Sequence, residues 1–564
     1  MQISKLSLAL VTIFSILPSS ALGEKSNPTQ VAESGDYTSD EFTSGSDFNS
    51  YTISNDVSDS YPEPTLEVEG KKKSKKTSSV KRTTKSIKHA KTKSVSSTAA
   101  GSSNSGIVSG SGSSGSKATS VRSPSKTAAN GAGVAGSVGP LTSLSEKSNI
   151  CDITDYGAVA GNETDISTAI TNAFNNCVLK TSGSTLRIPE GNWLMTKPVI
   201  LNGGTKWAFQ IQGLITCSYS TSAWSASSYN TAIVIKNAND FEMYSDNGLG
   251  AIQGNGYVYR ITSGEEHDEG WMRLVRIVTS TNVSVHDLIL VDSPMYFLVV
   301  YQCTNVEVYY ITIRGGNTGM TDGIDISGYN YFVHDVEVTN KDECVCVKSP
   351  STNAEISNVY CSSSGGVSIG SLQSGANVTN IKISDVYNYN TNSLMFIKTK
   401  PGGSGFVKNC EFSNFHGYDC AFGIDIDQYW DSKSGSGGVQ LENLIFSGFY
   451  GSIAAAYSGS SPTRGGVKII GAYDAPPVDI TLEDIVMYKN EDRTGKYIDV
   501  YENAYGEGYE LKPDSASASG YTTSITATAA PSGWTQPALP DWNVGSTGYG
   551  LTVSIPVYTP AVMW

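Results

Sequence analysis

Five segments of similar length and texture follow one another through the middle of the chain. They are NVSVHDLILVD from Asn282, NVEVYYITIRG from Asn305, YFVHDVEVTN from Tyr331, AEISNVYCSSS from Ala354 and NVTNIKISDVYN from Asn377. Their starts lie 23, 26, 23 and 23 residues apart, and each holds short β-branched runs. A repeat of that length with two or three short strands and no helix is typical of a solenoid coil. The sequence therefore predicts an all-β fold, a parallel β-helix.

Looser copies of the repeat continue towards the C-terminus, from Phe406, Gly438 and Val478. A β-sandwich or propeller would need tight Asn-Gly or Asp-Gly hairpins, and a leucine-rich repeat would place a helix in each unit. The repeats have neither pattern. The segment from Thr164 to Leu179 is predicted to form one amphipathic helix that caps the N-terminal end of the stack, where a sheet edge would otherwise be exposed.

Two regions precede the repeats. Residues 1–23 have a positive start, an apolar core and small residues at the exit, which predicts a secretory signal peptide and a secreted, extracellular protein with no membrane contact after cleavage. Residues 24–147 are rich in Ser, Thr and Gly and are predicted to be disordered, because they cannot bury enough apolar surface to offset the entropy of ordering. The folded domain is expected to span 148–564.

The disordered region carries two blocks of charge. Residues 33–70 contain ten acids and no base, whereas residues 71–93 contain eleven bases and no acid. Such blocks predict a solvated spacer, with an anchor to anionic wall polymer or a cleaved pro-segment as alternatives.

Charge also restricts the partners of the folded domain. The chain of 564 residues has a net charge of −14, and residues 151–564 hold 22 Lys and Arg against 41 Asp and Glu. An acidic domain argues against nucleic acid as the main partner, since phosphate binding needs a basic surface. An acidic polysaccharide in a locally basic cleft stays compatible with this charge. We expect a monomer.

The cysteines do not follow the spacing of a metal site. None of the nine falls in a CxxC or Cys/His pattern, so no zinc site is expected. In an exported protein several should form disulfides, and the odd count leaves at least one outside them.

Three Asn-x-Ser/Thr sequons predict glycosylation at Asn162, Asn282 and Asn377. Asn282 and Asn377 open repeat segments, so a buried position in a ladder of asparagines is the alternative for both. Such a position would make them poor acceptors.

Carboxylates are spaced to converge. Asp322 in MTDGID and Asp342 in NKDECV lie one coil apart, so the two side chains can stack at about 4.8 Å along the axis. Glu343 can share their face only where the strand ends or turns, because consecutive strand residues point to opposite sides. Three converging carboxylates raise at least one pKa and leave a protonated acid beside an ionised base, which is what glycoside hydrolysis requires.

Lys398 in MFIKTK lies two coils beyond the coil of Asp342. This position predicts a cation roughly 10 Å along the same groove, placed to hold a substrate carboxylate one sugar away. No metal or organic cofactor is expected.

Four segments carry a family resemblance: GGNTGMTDGIDISGYNYFVHDVEVTNKDECVCVKSP, SSSGGVSIGSL, MFIKTK and GIDIDQYW. They resemble glycoside hydrolases of family 28, and among these the fungal rhamnogalacturonan hydrolases, over about residues 150–564. The resemblance implies a right-handed parallel β-helix and the hydrolysis of α-linked galacturonate with inversion. It does not extend to the disordered region.

The resemblance also implies roles for individual residues. By matching motif, Asp342 is the general acid, while Asp322 and Glu343 position and activate the attacking water. Two pairs of cysteines match cysteines that form disulfides in the rhamnogalacturonan hydrolases, namely Cys151 with Cys177 and Cys344 with Cys361.

Departures from the polygalacturonase branch indicate the substrate. That branch has a second aspartate where this chain has Glu343, a histidine where it has Gly365, and an arginine where it has Phe396. A missing arginine is expected where the leaving sugar is rhamnose, which offers no carboxylate for a bidentate clamp. The pattern favours the pectic polysaccharide rhamnogalacturonan as substrate, with a polygalacturonase or a xylogalacturonan hydrolase as alternatives.

One departure concerns the rhamnogalacturonan hydrolases themselves. Tyr418 stands where they have a functional histidine, and His416 lies two residues earlier, so both are candidate substrate-binding residues. A catalytically impaired β-helix that binds wall polysaccharide is therefore an alternative, as is a Ca²⁺-dependent lyase. Asp425 and Asp427 match acids of the family; we expect only one of them to face the groove and neither to be catalytic.

Overall fold

The computed structural model describes residues 132–227, 229–265, 267–268, 270–316, 318–430, 435–454, 464–489, 497–513, 522–525, 533 and 535. The predicted signal peptide and both charge blocks lie outside these residues. None of the helices in the described ranges is long and apolar enough to cross a membrane.

Short strands make up most of the described chain. In its N-terminal part they are β1 (Asn149–Asp152), β2 (Gly161–Asp165), β3 (Ser184–Ile188), β4 (Asn192–Met195), β5 (Val199–Asn202), β6 (Thr205–Ile211), β7 (Leu214–Cys217), β8 (Thr231–Lys236), β9 (Asn239–Tyr244), β10 (Ala251–Gln253), β11 (Arg273–Val278), β12 (Thr281–Val291) and β13 (Leu298–Arg314). In the C-terminal part they are β14 (Ile324–Thr339), β15 (Glu343–Ser362), β16 (Gly366–Leu372), β17 (Ala376–Tyr389), β18 (Ser393–Thr399), β19 (Gly405–Cys420), β20 (Phe422–Asp427), β21 (Gln440–Ile453), β22 (Gly465–Ile470), β23 (Val478–Lys489), β24 (Asp499–Glu502), β25 (Gly506–Glu507) and β26 (Thr522–Ile525).

Each strand pairs with the strand one coil later. The pairs between named strands of the described chain are parallel, apart from β24 with β26. Residues in register form columns along the axis, and the interior columns are aliphatic because alternate residues of each strand point inwards. One such column consists of Ile324, Val345, Val367, Met395, Ile424 and Val467. The predicted parallel β-helix is confirmed.

A ladder of asparagines marks the same corner of successive coils. Its members have a left-handed backbone, which asparagine tolerates better than most residues, and their side-chain amides hydrogen-bond from coil to coil at 2.8–3.2 Å. Asn282 and Asn305 belong to this ladder as the repeat predicts. A strand begins near Asn377 as predicted, but the repeat register there is shifted by three residues, because the ladder residue of that coil is Asn380, which donates its side-chain amide to Asn353.

The three predicted glycosylation sites differ in their exposure. Asn282 is buried, donates its side-chain amide to Asn239 at 3.2 Å and accepts from Asn305 at 2.9 Å. The structure thus favours the ladder alternative for Asn282. Asn162 and Asn377 are exposed and stay predicted acceptors.

Two α-helices accompany the coils, α1 (Ser167–Asn176) and α2 (Gly256–Ser263). The first is the predicted cap, shortened because its expected first turn pairs as β2 and its expected end forms a 3-10 turn. It buries Ile170 and Phe174, and the ring of Phe174 lies 5.1 Å from that of Trp207 in β6. The helix α2 was not predicted. Four 3-10 turns complete the regular structure, at Leu144–Glu146, Ile153–Tyr156, Val178–Lys180 and Trp224–Ala226.

An N-terminal strap, residues 132–147, lies along the ladder. Its Gly133 and Gly139 amides each donate to a ladder carbonyl oxygen at 3.0 Å, those of Asn380 and Asn305. The described fold therefore begins before the expected boundary at residue 148. The composition of the strap could not indicate this, because its order comes from hydrogen bonds to the coils and not from its own apolar content.

We expect Asn305→Ala to destabilise the β-helix by about 1–3 kcal/mol, since it removes two amide hydrogen bonds and leaves a Cβ-bearing residue in a left-handed backbone. Asn305→Gly loses the same hydrogen bonds but accepts that backbone, so the alanine variant should be the less stable by up to about 1 kcal/mol. Denaturant unfolding of both variants measures the difference. Equal stability to the parent would contradict a structural role for the ladder.

Candidate active site

Three carboxylates converge at the start of two neighbouring strands. Asp322 lies in the turn before β14, Asp342 directly precedes β15, and Glu343 is its first residue. All three are buried, and one oxygen of each lies within 4.8 Å of the others. The predicted convergence is confirmed.

The end of the strand allows Asp342 and Glu343 to face the same side, as predicted. The register of β15 against β16 shifts immediately after Glu343. Just upstream, the side-chain amide of Asn340 donates to the carbonyl oxygens of Thr321 at 2.6 Å and Glu343 at 3.0 Å. One asparagine thus fixes both carboxylate-bearing turns.

A disulfide also restrains the chain directly after Glu343. Cys344 is bonded to Cys361, and the second expected disulfide, Cys151 to Cys177, joins β1 to the residue after α1. The other cysteines of the described chain are buried free thiols, at positions 217, 303, 346, 410 and 420.

Backbone amides orient the Asp342 carboxylate. The Met320 amide donates to its Oδ2 at 2.6 Å, and the Glu343 amide donates to its Oδ1 at 3.0 Å. Gly365 packs behind it and donates to the Asp342 carbonyl oxygen at 2.7 Å. A Cβ at position 365 would lie 3.1 Å from backbone atoms of Asp342 and Glu343, so the position that holds histidine in the polygalacturonase branch has little room for a side chain here.

Two lysines neutralise the acids. Lys348 Nζ lies 3.4 Å from Asp325 Oδ2 and 3.6 Å from Asp322 Oδ2, and Lys398 Nζ forms an ion pair with Glu343 Oε1. Lys348 and Asp325 were not predicted from the sequence. The alternation of inward and outward residues could have indicated them. Both occupy outward positions of strands that begin beside the carboxylates.

The prediction for Lys398 was right in its coil and wrong in its distance. Its backbone lies two coils beyond Glu343, but the long side chain reaches back to the Glu343 carboxylate instead of standing roughly 10 Å away. The ammonium group therefore belongs to the carboxylate cluster itself.

The pKa values of two of the carboxylates are shifted in opposite directions. Burial, followed by the charges of Asp342 and Asp325, raises the pKa of Asp322 well above its ordinary value. Burial alone would also raise the pKa of Glu343, but Lys398 beside it holds that pKa well below the ordinary range. Opposite shifts of this kind are what a general acid beside a general base requires.

This arrangement suits proton transfer to and from a substrate held above it. Carboxylate oxygens are also the ligands that hard cations prefer. In this cluster, however, the Lys348 and Lys398 ammonium groups already supply positive charge next to Asp322 and Glu343. The residues fit a lysine-neutralised acid–base site better than a cation cage.

An aromatic pair flanks the cluster. The rings of Phe396 and Trp430 meet edge to face at 5.2 Å, and Lys398 Nζ lies 5.5 Å and 5.1 Å from their centroids. Phe396 thus places an apolar ring beside the lysine, at the position where the polygalacturonase branch has arginine.

The candidates His416 and Tyr418 have their observed contacts elsewhere. His416 hydrogen-bonds Asn414 Oδ1 at 2.8 Å and stacks between Tyr387 and Tyr450. Tyr418 is 40% exposed and stacks on the tyrosine one coil earlier. Neither set of contacts includes the three carboxylates.

The prediction that only one of Asp425 and Asp427 faces the groove was wrong. Residues two apart in a strand share a face, and both acids of β20 bind Lys468 Nζ, at 3.1 Å and 3.0 Å. They form a second charged cluster further along the β-helix.

The chain matches the family model of glycosyl hydrolases family 28 over residues 179–501. It is 42% identical to rhamnogalacturonase A of Aspergillus aculeatus over 432 residues, which covers 76% of this chain and 92% of the relative. It is also 42% identical over 434 residues to a probable rhamnogalacturonase B of Aspergillus niger, covering 76% of this chain and 73% of the relative.

Solved structures share the fold. Endo-xylogalacturonan hydrolase from Aspergillus tubingensis superposes with a TM-score of 0.54 at 23% identity, covering 62% of this chain and 95% of that one. A polygalacturonase from Erwinia carotovora gives 0.52 at 19% identity, covering 64% and 97%. Because the family model spans more than half of the chain and relatives at 42% identity span three quarters of it, the chain belongs to glycosyl hydrolases family 28 and is a glycoside hydrolase.

Proposed function

We propose that the protein hydrolyses the galacturonate–rhamnose linkages of the rhamnogalacturonan backbone. The observation that carries this proposal is the cluster in which Asp322, Asp342 and Glu343 lie within 4.8 Å of one another, with the pKa of Asp322 raised and that of Glu343 lowered. The relatives that align with 76% of the chain are named rhamnogalacturonases, which supports the choice of substrate.

In this proposal Asp342 donates a proton to the glycosidic oxygen as the bond to the anomeric carbon breaks. Water attacks that carbon and gives its proton to Glu343, with Asp322 holding the water. The raised pKa of Asp322 favours a proton there, and the 4.8 Å within which the carboxylate oxygens lie allows one bridging water to carry a proton from Asp322 to Asp342. After hydrolysis the proton that Glu343 took from the attacking water returns to Asp322, which restores the starting state of the cluster.

The stereochemistry proposed is inversion, as in the family that the sequence resembles. The carboxylate spacing alone argues the other way, since two carboxyl groups of an inverting enzyme usually lie about 6.5–9.5 Å apart. Here three carboxylates take part in the reaction. The pair Asp322 and Glu343 can hold a water between them, and this favours direct attack by water over a covalent intermediate.

Phe396 supports rhamnose as the leaving sugar. With Trp430 it forms an apolar wall beside Lys398, which suits a deoxy sugar that carries a methyl group and no carboxylate. We also infer secretion through the signal-like residues 1–23 and action as a monomer.

Incubation with rhamnogalacturonan should give saturated oligosaccharides, whereas homogalacturonan and xylogalacturonan should be cleaved far more slowly. Reducing-end assays give the rates, and NMR of the first-formed anomer gives the stereochemistry. A product absorbing in the ultraviolet would instead indicate elimination by a lyase. No cleavage of any of the three polymers would favour the alternative of a catalytically impaired β-helix that binds wall polysaccharide.

We expect Asp342→Asn to lower kcat by about 10²–10⁴-fold with little change in substrate affinity, because the amide cannot donate the proton. Melting temperature and circular dichroism should stay close to the parent. Glu242→Gln is the matched control, since Glu242 is also a buried, ion-paired carboxylate but bonds Lys147 of the strap. Full activity of the Asp342 variant, or an equal loss in the control, would refute the assignment.

We expect Phe396→Arg to change the ratio of kcat/KM for rhamnogalacturonan over homogalacturonan by at least about tenfold in favour of homogalacturonan, because arginine adds a clamp for a second carboxylate. Phe396→Leu removes the ring without adding charge and serves as the control. If both variants change the ratio equally, the charge at this position does not select the substrate.

A further inference from the structure

A distal charged cluster lies on the same side of the β-helix as the carboxylates. It consists of Asp425 and Asp427 of β20, Lys468 of β22, and Phe422 with Arg464 beside them. Lys468 Nζ lies 5.3 Å and Arg464 Cζ 5.0 Å from the Phe422 ring centroid. The proposed function gives these residues no role.

Strand register places this cluster on the face that carries the active site. Outward-facing residues of successive coils form one column from beside the three carboxylates to the distal cluster. The column contains Cys346, Ser368, Phe396, Asp425 and Lys468. A polymer lying along the axis over the three carboxylates would therefore pass over Lys468.

Three lysines of this face have backbone positions at every second coil. Lys348 is in β15, Lys398 in β18 and Lys468 in β22, with β16 and β20 as the intervening coils. Two coils correspond to about 9.6 Å along the axis. Lys348 and Lys398 both direct their ammonium groups into the carboxylate cluster, so among these three lysines Lys468 is the one left for a more distant part of the substrate.

Lys468 keeps capacity for a ligand. An ammonium group has three donors, and Asp425 Oδ1 at 3.1 Å and Asp427 Oδ2 at 3.0 Å accept two of them. The Lys468 side chain is 25% exposed, whereas that of Asp425 is 3% exposed. The two aspartates thus hold the ammonium group at a fixed place with one side towards solvent.

We propose that Lys468, with Arg464 next to it, binds the carboxylate of a galacturonate unit several sugars from the scissile bond. This inference rests on the proposed function and adds a distal subsite to it.

The test compares Lys468→Met with the parent on rhamnogalacturonan oligosaccharides of increasing length. We expect KM to rise about 10- to 100-fold for oligosaccharides long enough to reach β22, with kcat unchanged, and no change for short ones. Lys408→Met is the matched control, because Lys408 also lies over a phenylalanine ring, that of Phe406 at 4.3 Å, but on a strand of a different face.

Loss of Lys468 leaves two aspartates unpaired, so the variant Lys468→Met with Asp425→Asn is measured in parallel to reduce that charge. Binding of a long oligosaccharide is also measured by calorimetry in the Asp342→Asn background, which does not depend on turnover.

Weaker binding of long oligosaccharides only would support the subsite. An equal loss for short and long oligosaccharides, or no loss, would overturn it. Failure of the parent to cleave rhamnogalacturonan would refute the proposed function, and unaltered binding in the calorimetry would refute the subsite separately.

Discussion

Parallel backbone hydrogen bonding between coils is the constraint on which the rest of this molecule depends. It fixes neighbouring coils at about 4.8 Å and brings residues that are one repeat apart into columns. The interior columns are aliphatic, and the corners carry the asparagine ladder. The active site is one more consequence, since Asp322 and Asp342 meet because they are one coil apart.

The carboxylate cluster shows how this scaffold tolerates buried charge. Ionised carboxylates that are buried together would be strongly destabilising without compensation. Lys348, on the same strand as Glu343, and Lys398, two coils beyond, provide it. They act unequally: Lys398 lowers the pKa of Glu343, whereas the pKa of Asp322 stays raised although Lys348 lies near it. The difference in protonation between equivalent side chains is the property that acid–base hydrolysis uses.

The substrate surface extends beyond this cluster because the coils do. A solenoid offers a long, regular face along which a linear polymer can contact residues of several coils. Phe396 and Lys468 occupy the same column of that face, Phe396 beside the active site and Lys468 two coils beyond Phe396. An apolar ring near the scissile bond and a cation further along would thus contact different sugars of one bound polymer.

The sequence by itself determined the β-helix, its cap and the convergence of the three carboxylates. These features depend on the spacing of the repeats, which can be measured in the sequence. The sequence alone could not determine that Lys398 reaches back to Glu343, that the pKa of Asp322 is raised while that of Glu343 is lowered, or that Lys348 and Asp325 join the site. Those features depend on the reach of long side chains and on burial, and both are set by contacts between coils. The order of the strap was decided in the same way, because Gly133 and Gly139 hydrogen-bond Asn380 and Asn305, which lie more than 150 residues further along the chain.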